Sequence, residues 1–107
     1  MAGSVSVIIT TRNRYEHLVR CLASVAASSL APKDVIIVDD TSDDATAELD
    51  EAACAALVPG ADCTVIHSGD NLKMVRARNL GARHATGDYC LFIDDDNEIA
   101  PGMIEIL

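Results

Sequence analysis

Three consecutive aspartates, Asp94, Asp95 and Asp96, directly follow the apolar run 89–93. Like charges this close repel each other, and a bound divalent cation is the usual way to keep such carboxylates ionised. As alternate residues, Asp94 and Asp96 could reach one ion through hard oxygen ligands, which suits Mg²⁺ or Mn²⁺. A solvated or helix-capping loop is the ordinary explanation for a single aspartate. Three together favour a metal site completed by water and by substrate phosphates.

Polar side chains also follow the first two apolar runs of the chain. Those after the run 5–9 are Thr10, Thr11, Arg12 and Asn13. The run 35–38 is followed by Asp39 and Asp40. Asp40 could cap the following helix, whereas Asp39 could accept hydrogen bonds from N–H or hydroxyl groups of a ligand.

Basic residues are concentrated in two segments, which hold seven of the eight lysines and arginines. These seven are Arg12, Arg14, Arg20, Lys73, Arg76, Arg78 and Arg83. Lys73 stands at the predicted start of a helix and is the best placed of them for an anionic ligand. Arg76 and Arg83 fit an exposed helix face equally well.

The pattern of apolar residues predicts the elements that must position these side chains. β-Branched and apolar runs predict strands over 5–9, 35–38, 63–67 and 89–93. Helical spacing and alanine-rich composition predict helices over 14–27, 45–57, 71–84 and 101–107. Asn13 is the expected cap of the first helix.

Unbroken apolar strands that alternate with helices indicate a parallel sheet covered on both faces. The predicted fold class is therefore α/β, a Rossmann-like β-α-β-α-β-α-β arrangement. The carboxyl ends of parallel strands meet at one rim, where such sheets bind ligands. The polar clusters after the first, second and fourth strands all belong to that rim, so we expect one site there.

Net charge limits the classes of partner. Seventeen acidic residues against eight basic ones give the 107-residue chain a net charge of −9. Nucleic acid and anionic membranes repel such a chain, so neither is an expected partner. No apolar run approaches the ~20 residues of a membrane span, and we expect one domain at most over 1–107. A reducing cytoplasm is the expected location, because nothing in the sequence needs an oxidised cysteine framework. An anionic ligand would need a local basic patch or a cation bound with it.

Cysteine spacing indicates no metal or redox role. The four cysteines, Cys21, Cys54, Cys63 and Cys90, contain no Cys-x-x-Cys pair. Neither zinc binding nor thioredoxin-like chemistry is therefore indicated. Cys21 and Cys90 lie within apolar runs and are expected to be small buried hydrophobes.

Four stretches in series resemble the N-terminal half of the family 2 glycosyltransferases, which have the GT-A fold. They are the opening strand and loop 5–13, the Val-Asp-Asp turn 38–42, the segment 71–81 and the strand 87–96 that leads to an Asp-x-Asp motif. Residues 77–81, Ala-Arg-Asn-Leu-Gly, are similar to the family's helix motif. The resemblance spans nearly the whole chain, with each motif in order and at natural spacing.

The resemblance implies a site for a nucleotide-diphosphate-sugar donor. Asp39 would hold the base of the nucleotide, with the loop residues Thr10, Thr11, Arg12 and Asn13 around the same pocket. Lys73 would be a basic contact to the nucleotide. Asp94 and Asp95 would face the ribose, and Asp96 the metal that bridges the diphosphate. The metal would neutralise the charge that develops on the departing diphosphate.

The resemblance also implies a longer enzyme that transfers sugar with inversion to an acceptor the sequence does not identify. The general base and the acceptor site would lie beyond residue 107, so we expect this segment alone to be inactive. Relative to that longer enzyme, the 107-residue segment would be truncated at its C-terminus. We therefore expect an uncovered sheet edge, through which copies of the chain could associate.

Departures from the family pattern concern the donor site. Thr10 stands where proline is usual, and Arg12 replaces a common aromatic residue. Thr41 and Lys73 each replace a glycine. These differences leave open which base and sugar the pocket takes.

Two other classes of protein remain as alternatives. A response-regulator receiver domain also has paired aspartates after a strand, although it begins with that strand and here a strand and helix precede Asp39. A non-catalytic nucleotide-binding module would use the same rim without chemistry. The chain has neither a P-loop nor a dinucleotide-binding glycine motif after its first strand.

Overall fold

The computed structural model describes residues 3–104. Within that range, four strands alternate with three α-helices, as the sequence predicts. In chain order they are β1 (Val5–Thr11), α1 (Tyr15–Ala26), β2 (Asp34–Asp40), α2 (Glu51–Leu57), β3 (Asp62–Ser68), α3 (Lys73–His84) and β4 (Tyr89–Asp94). Residues 101–103 form a turn, and the end of the predicted last helix, 105–107, lies outside the described residues. No helix in the described part is long and apolar enough to cross a bilayer.

The strands form one parallel sheet in the order β3-β2-β1-β4. β1, the first strand of the chain, therefore lies between β2 and β4. The register pairs Thr10 with Asp94 and Thr11 with Asp39. The strand ends that carry the polar clusters therefore lie side by side, which confirms the predicted fold class and the shared rim.

Both faces of the two central strands are buried. On one face, Val5, Val7 and Ile9 of β1 pack in a core with α1. On the other face, Ile8 of β1 packs in a smaller core against Ala77 of α3. Alternate residues of β1 therefore enter different cores, which is why its residues 5–9 are apolar apart from Ser6, whose buried hydroxyl accepts from the backbone N–H of Gly87.

The predicted helix over 45–57 is wrong as a single element. A 3₁₀ turn occupies Ala45–Glu48, and α2 begins at Glu51. Between them Leu49 is extended, with ψ 128°, and its side chain is buried. Asp50 then restarts the helix, because its carboxylate accepts a hydrogen bond from the backbone N–H of Ala53.

The predicted helix cap at Asn13 is also wrong. Arg14 is the N-cap residue of α1, and no side chain caps that helix. Asn13 has a left-handed φ of 53°, and its side-chain oxygen accepts a hydrogen bond from the backbone N–H of Asp43 at 2.8 Å. Its side chain therefore joins two loops instead of ending a helix.

β4 is covered on one face only. Ile93 enters the core with α1, whereas Cys90 and Phe92 are exposed on the opposite face. The reason is that α3 packs against β1 and β2. The predicted burial of Cys90 is wrong for the same reason, while that of Cys21 is confirmed.

Gly81 sets how closely α3 approaches the sheet. A Cβ at this position would come within 2.6 Å of a methyl group of Ile8 and 3.2 Å of one of Val38. Glycine inside a helix normally costs about 1 kcal/mol relative to alanine. Here we expect Gly81→Ala to lower the free energy of unfolding by about 1–3 kcal/mol, because overpacking outweighs helix propensity.

Urea unfolding measures that difference, with Gly69→Ala as the matched control. A Cβ at Gly69 meets nothing within 4 Å, so the control should unfold like the parent chain. A stabilised Gly81→Ala variant would contradict the close packing of α3.

Candidate functional site

An open cavity of about 470 Å³ lies at the carboxyl ends of β1, β2 and β4. The start of α3 closes one side of it. Its lining residues are Thr10, Thr11, Arg12, Arg14, Asp40, Lys73, Met74, Ala77, Asp94, Asp95 and Asp96. The fold thus brings six of the eight predicted donor-site residues to one cavity, together with the predicted metal ligand Asp96. Asn13 and Asp39 are outside the lining set.

The three consecutive aspartates differ in their surroundings. Asp95 is buried and accepts a hydrogen bond from the Thr11 hydroxyl at 2.9 Å. Burial raises the pKa of Asp95, while the Thr11 hydroxyl and the Arg14 guanidinium oppose that rise. Asp94 and Asp96 have side chains that are 44% and 48% exposed. Asp95 therefore anchors the loop, and its two neighbours offer carboxylates to the cavity.

Each exposed carboxylate is paired with an arginine. Asp94 lies 3.2 Å from a guanidinium nitrogen of Arg78, and Asp96 lies 3.3 Å from one of Arg14. Arg14 also lies 3.6 Å from Asp95. The pairs balance charge in the cavity, so the acid cluster is not left uncompensated. They also place cationic groups where phosphate oxygens would need them.

The donor set of the cavity fits a hard divalent cation. Asp94 and Asp96 are alternate residues, face the same space and offer carboxylate oxygens, the ligands that Mg²⁺ and Mn²⁺ prefer. Across residues 3–104, no three histidine, cysteine or acidic side chains are already grouped to hold a metal ion. Two protein carboxylates with water and phosphate oxygens are the usual arrangement for Mg²⁺ at a phosphate site.

The seven basic residues divide into two groups. Arg12, Arg14 and Lys73 line the cavity, and Arg78 contacts Asp94 beside it. Arg20, Arg76 and Arg83 are exposed outside the cavity. The first group surrounds the space in front of the aspartates, so an anionic ligand would meet positive charge there.

Asp40 lines the cavity, and the prediction that it caps the helix after β2 is wrong. Its two carboxylate oxygens accept from the backbone N–H groups of Leu72 and Lys73, at 2.8 and 3.1 Å. Asp40 therefore holds the start of α3 at the rim. Residue alternation along β2 puts Asp40 on one face with Ile36 and Val38, but only the structure shows that α3 covers that face.

Asp39 is turned to the other side of the sheet and is almost fully buried. One carboxylate oxygen accepts from the backbone N–H of Ser42 at 3.1 Å. The other lies 2.7 Å from Nδ1 of His67. Asp39 thus organises the turn after β2, and its predicted contact with a nucleotide base stays a prediction.

The two rim loops, residues 12–15 and 41–44, are joined by several hydrogen bonds. The backbone N–H of Asn13 donates to the Ser42 hydroxyl at 2.9 Å. The backbone N–H of Tyr15 donates to the carboxylate of Asp44 at 3.3 Å. Asn13 therefore supports the loop that carries Arg12 and Arg14.

All three non-glycine residues with positive φ in the described chain lie at this rim. Asn13, Thr41 and Lys73 have φ values of 53°, 62° and 61°. Thr41 and Lys73 are the positions where the resembled family has glycine, which adopts this conformation at little cost. For a β-branched residue such as Thr41 the conformation is a genuine outlier.

We expect Thr41→Gly to stabilise the protein. The left-handed conformation costs threonine about 1–2 kcal/mol, and glycine would remove that strain. About 0.5–1 kcal/mol of the resulting stabilisation would be offset, because glycine gives the unfolded chain more conformational entropy. The expected net rise in the free energy of unfolding is about 0.5–1 kcal/mol, measured in urea. Thr64→Gly, in the extended strand β3, is the control and should be destabilised. Equal losses in both variants would contradict the strain at Thr41.

Comparison with known proteins places this geometry in a family. The family model "Glycosyl transferase family 2" matches residues 6–107. The uncharacterized glycosyltransferase YwdF of Bacillus subtilis is 35% identical over 101 residues. The match covers 94% of this chain and 35% of YwdF, so the chain spans about a third of its relative's length.

Solved structures show the same fold. TarS of S. aureus (residues 1–349), in complex with UDP-GlcNAc, superposes with a TM-score of 0.82 at 26% identity, over 96% of this chain and 29% of that one. The mannosyltransferase PcManGT of Pyrobaculum calidifontis, in complex with GDP-Man and Mn²⁺, gives 0.79 at 25% identity, over 94% and 30%. Both neighbours support a GT-A fold for the described strands and helices.

The family match covers nearly every residue, and it sets aside the receiver-domain alternative. The motifs at 5–13, 38–42, 71–81 and 87–96 and the parallel sheet that gathers them agree with it. This chain belongs to glycosyl transferase family 2.

Proposed function

We propose that the cavity binds a nucleotide-diphosphate sugar together with a divalent cation, Mg²⁺ or Mn²⁺, as the donor site of an inverting glycosyltransferase. One observation carries the proposal. The exposed carboxylates Asp94 and Asp96 line one cavity with Arg12, Arg14 and Lys73. That combination suits a ligand that is strongly anionic and arrives with a cation.

Asp94 and Asp96 would hold the cation, and Asp95 would support the loop between them. When bound, the cation would act as a Lewis acid that stabilises negative charge on the departing diphosphate. PcManGT, which holds GDP-Man and Mn²⁺, is a structural neighbour in which donor and metal occur together. A metal-dependent donor site would also reconcile an acidic chain with an anionic ligand.

The basic side chains would bind the diphosphate. Arg14 already lies between the Asp95 and Asp96 carboxylates, and Arg78 lies beside Asp94. A cation on the carboxylates would replace the arginines as their partner, so the guanidinium groups could turn to phosphate oxygens. Lys73, at the start of α3, would add a mobile ammonium group on the opposite wall.

The nucleoside would lie toward the loops after β1 and β2. We retain Asp39 as the predicted contact to the base, with Thr10, Thr11, Arg12 and Asn13 around it. A carboxylate oxygen can accept more than one hydrogen bond, so the two contacts of Asp39 inside the protein do not exhaust its capacity. Because Arg12 replaces an aromatic residue, stacking on the base would use the guanidinium plane.

The acceptor site and the general base are assigned to no residue of this chain. We propose that they belong to further sequence in the complete enzyme and that the 107-residue chain binds donor without transferring sugar. Sugar transfer by this chain alone would contradict that part of the proposal. It would also exclude a non-catalytic nucleotide-binding module.

Isothermal titration calorimetry tests the donor site directly. UDP, GDP and dTDP are each titrated into the folded chain, with and without Mn²⁺. Binding of at least one nucleotide, strengthened by the metal, is the expected result. If a folded sample binds none of the three in the presence of Mn²⁺, the donor-site proposal fails.

A further inference from the structure

His67, near the end of β3, has both ring nitrogens in contact with hydrogen-bond acceptors. Nδ1 lies 2.7 Å from a carboxylate oxygen of Asp39, and Nε2 lies 2.7 Å from the backbone carbonyl oxygen of Leu49. The Asp39 side chain is 3% exposed and that of His67 is 39% exposed. The ring thus bridges the end of β2 to the extended residue before α2.

These two contacts determine the charge of the ring. A backbone carbonyl has no proton to give, and an ionised carboxylate only accepts. A neutral imidazole has one N–H donor, whereas an imidazolium has two. Only the protonated ring satisfies both acceptors, so His67 is the counter-charge of a buried aspartate.

The groups around His67 favour the same state. Asp39 from β2 is in contact with the ring, and Asp50 and Glu51, at the start of α2, line the same pocket as His67. All three are acidic. The hydrogen bond to Asp39 raises the pKa of His67, partial burial opposes the rise, and the Leu49 carbonyl and the Asp39 charge add to it.

Hydrogen bonds connect Asp39 with a loop that lines the cavity. Its second carboxylate oxygen accepts from the N–H of Ser42, and the Ser42 hydroxyl accepts from the N–H of Asn13. Asn13 lies between Arg12 and Arg14, which both line the cavity. A continuous series of hydrogen bonds therefore runs from His67 to the loop that carries these arginines.

We propose that His67 is a positioning residue, an imidazolium that fixes the carboxylate of Asp39 and, through it, the two rim loops that set Arg12 and Arg14 in the cavity. Its effect on donor affinity rests on the proposed function above. Its effect on the loops does not, because the hydrogen bonds exist without a ligand.

The sign of the pH dependence follows from the raised pKa. An unfolded chain releases the His67 proton near pH 6.5, and the folded chain retains it to higher pH. The stabilising contact is therefore fully present below about pH 6.5 and is lost as pH rises through the folded pKa. Deprotonation leaves Asp39 buried without a counter-charge, and the loops lose their anchor.

The test is an NMR titration of the ligand-free 107-residue chain from about pH 6 to about pH 9. Imidazole ¹⁵N shifts report the charge of His67, and the backbone amides of Asn13 and Ser42 report the loops. We expect His67 to titrate above 6.5 and both amides to follow the same transition. In His67→Gln that transition should vanish from the amides, whereas the control His84→Gln should keep it. The titration of the parent chain decides the charge even if His67→Gln does not fold.

Affinity for donors is the second readout. UDP-GlcNAc and GDP-mannose are used because their diphosphates have no terminal phosphate that titrates in this range. With saturating Mn²⁺, the donor that binds should bind about fivefold or more weakly at pH 9 than at pH 6, with little change in His67→Gln.

The possible outcomes separate the two proposals. If His67 and the two amides titrate together but neither donor binds, the donor-site proposal fails and the positioning role is supported. Three results would each overturn the positioning role. In the NMR titration they are amide shifts that do not change with the His67 transition, or a ring that is neutral at pH 6.5. In the affinity measurement it is a loss of donor affinity in His67→Gln equal to that of the parent chain.

Discussion

Asp96→Ala is expected to abolish the effect of Mn²⁺ on nucleotide binding. Asp96 offers one of the two exposed carboxylates of the cavity. A site that holds a hard divalent ion with two protein carboxylates binds it much more weakly when one carboxylate is removed. Changes to residues that merely support metal ligands typically cost about 10–100-fold in metal affinity, so removal of a ligand should cost about 100-fold or more. Calorimetric titration of Mn²⁺ in the presence of the nucleotide measures the loss.

One control variant and one further measurement make the Asp96→Ala result specific. Asp70→Ala removes the same charge from an exposed loop residue outside the cavity and should leave the Mn²⁺ titration unchanged. Asp96→Ala also frees Arg14 from one of its partners. Metal-independent binding of the nucleotide should therefore persist or strengthen, because Arg14 gains freedom to meet phosphate. An unchanged Mn²⁺ effect in Asp96→Ala would remove this residue from the proposed metal site.

Asp40→Ala is expected to destabilise the folded chain by about 3 kcal/mol, because two charge-assisted hydrogen bonds are lost together. Asp40 is 8% exposed, and its carboxylate accepts from the N–H groups of Leu72 and Lys73. Without it, the N–H of Leu72 would lose its side-chain acceptor, and that of Lys73 would keep only the longer contact to Oδ1 of Asn71 at 3.3 Å. Urea unfolding, monitored by circular dichroism, measures the difference.

The effect should also reach the site, because Asp40 holds Lys73 in its left-handed conformation. Asp40→Asn keeps one carbonyl oxygen as acceptor, so its stability should lie between those of the parent chain and Asp40→Ala. Asp62→Ala, an exposed carboxylate at the start of β3, is the control for charge and should change stability little. A loss below about 1 kcal/mol in Asp40→Ala would contradict the capping role.

The sequence predicted the strands and their order along the chain well, for a physical reason. Residues 35–38 are β-branched throughout, and 5–9 are β-branched apart from Ser6, as is typical of strands buried on both faces. Because parallel strands end at one rim, the meeting of the polar clusters there was also predicted, whereas the pairing of Thr10 with Asp94 was not.

Tertiary contacts decided the features that the sequence did not predict. The run 45–57 is rich in alanine, and Asp50, a residue type that caps helices, is its one local sign of a new helix start; that Leu49 is buried and extended there is seen only in the structure. The alternation of side chains along β4 assigns Cys90 to one face of the sheet, but it does not show whether a helix covers that face.

The two aspartates after β2 illustrate the same limit at the site. Asp39 and Asp40 point to opposite faces of the sheet, as neighbouring strand residues must. Since both faces of β2 are buried, the sequence offers no sign of which aspartate meets the cavity. Only the position of α3, and the presence of His67 on the neighbouring strand, distinguishes them.

The strand order has a consequence for how the molecule assembles during synthesis. Of the described strands, β4 is made after β2 and β3, yet it lies beside β1, and the Thr11–Asp95 hydrogen bond joins residues 84 positions apart. Contacts so distant in sequence form slowly, since a long loop must close before they contribute. A growing chain can pair β1, β2 and β3 while the other edge of β1 is still open. We therefore expect the aspartate side of the cavity to form after the β1–β2–β3 part of the sheet, and until then the edge of β1 is available for wrong pairing.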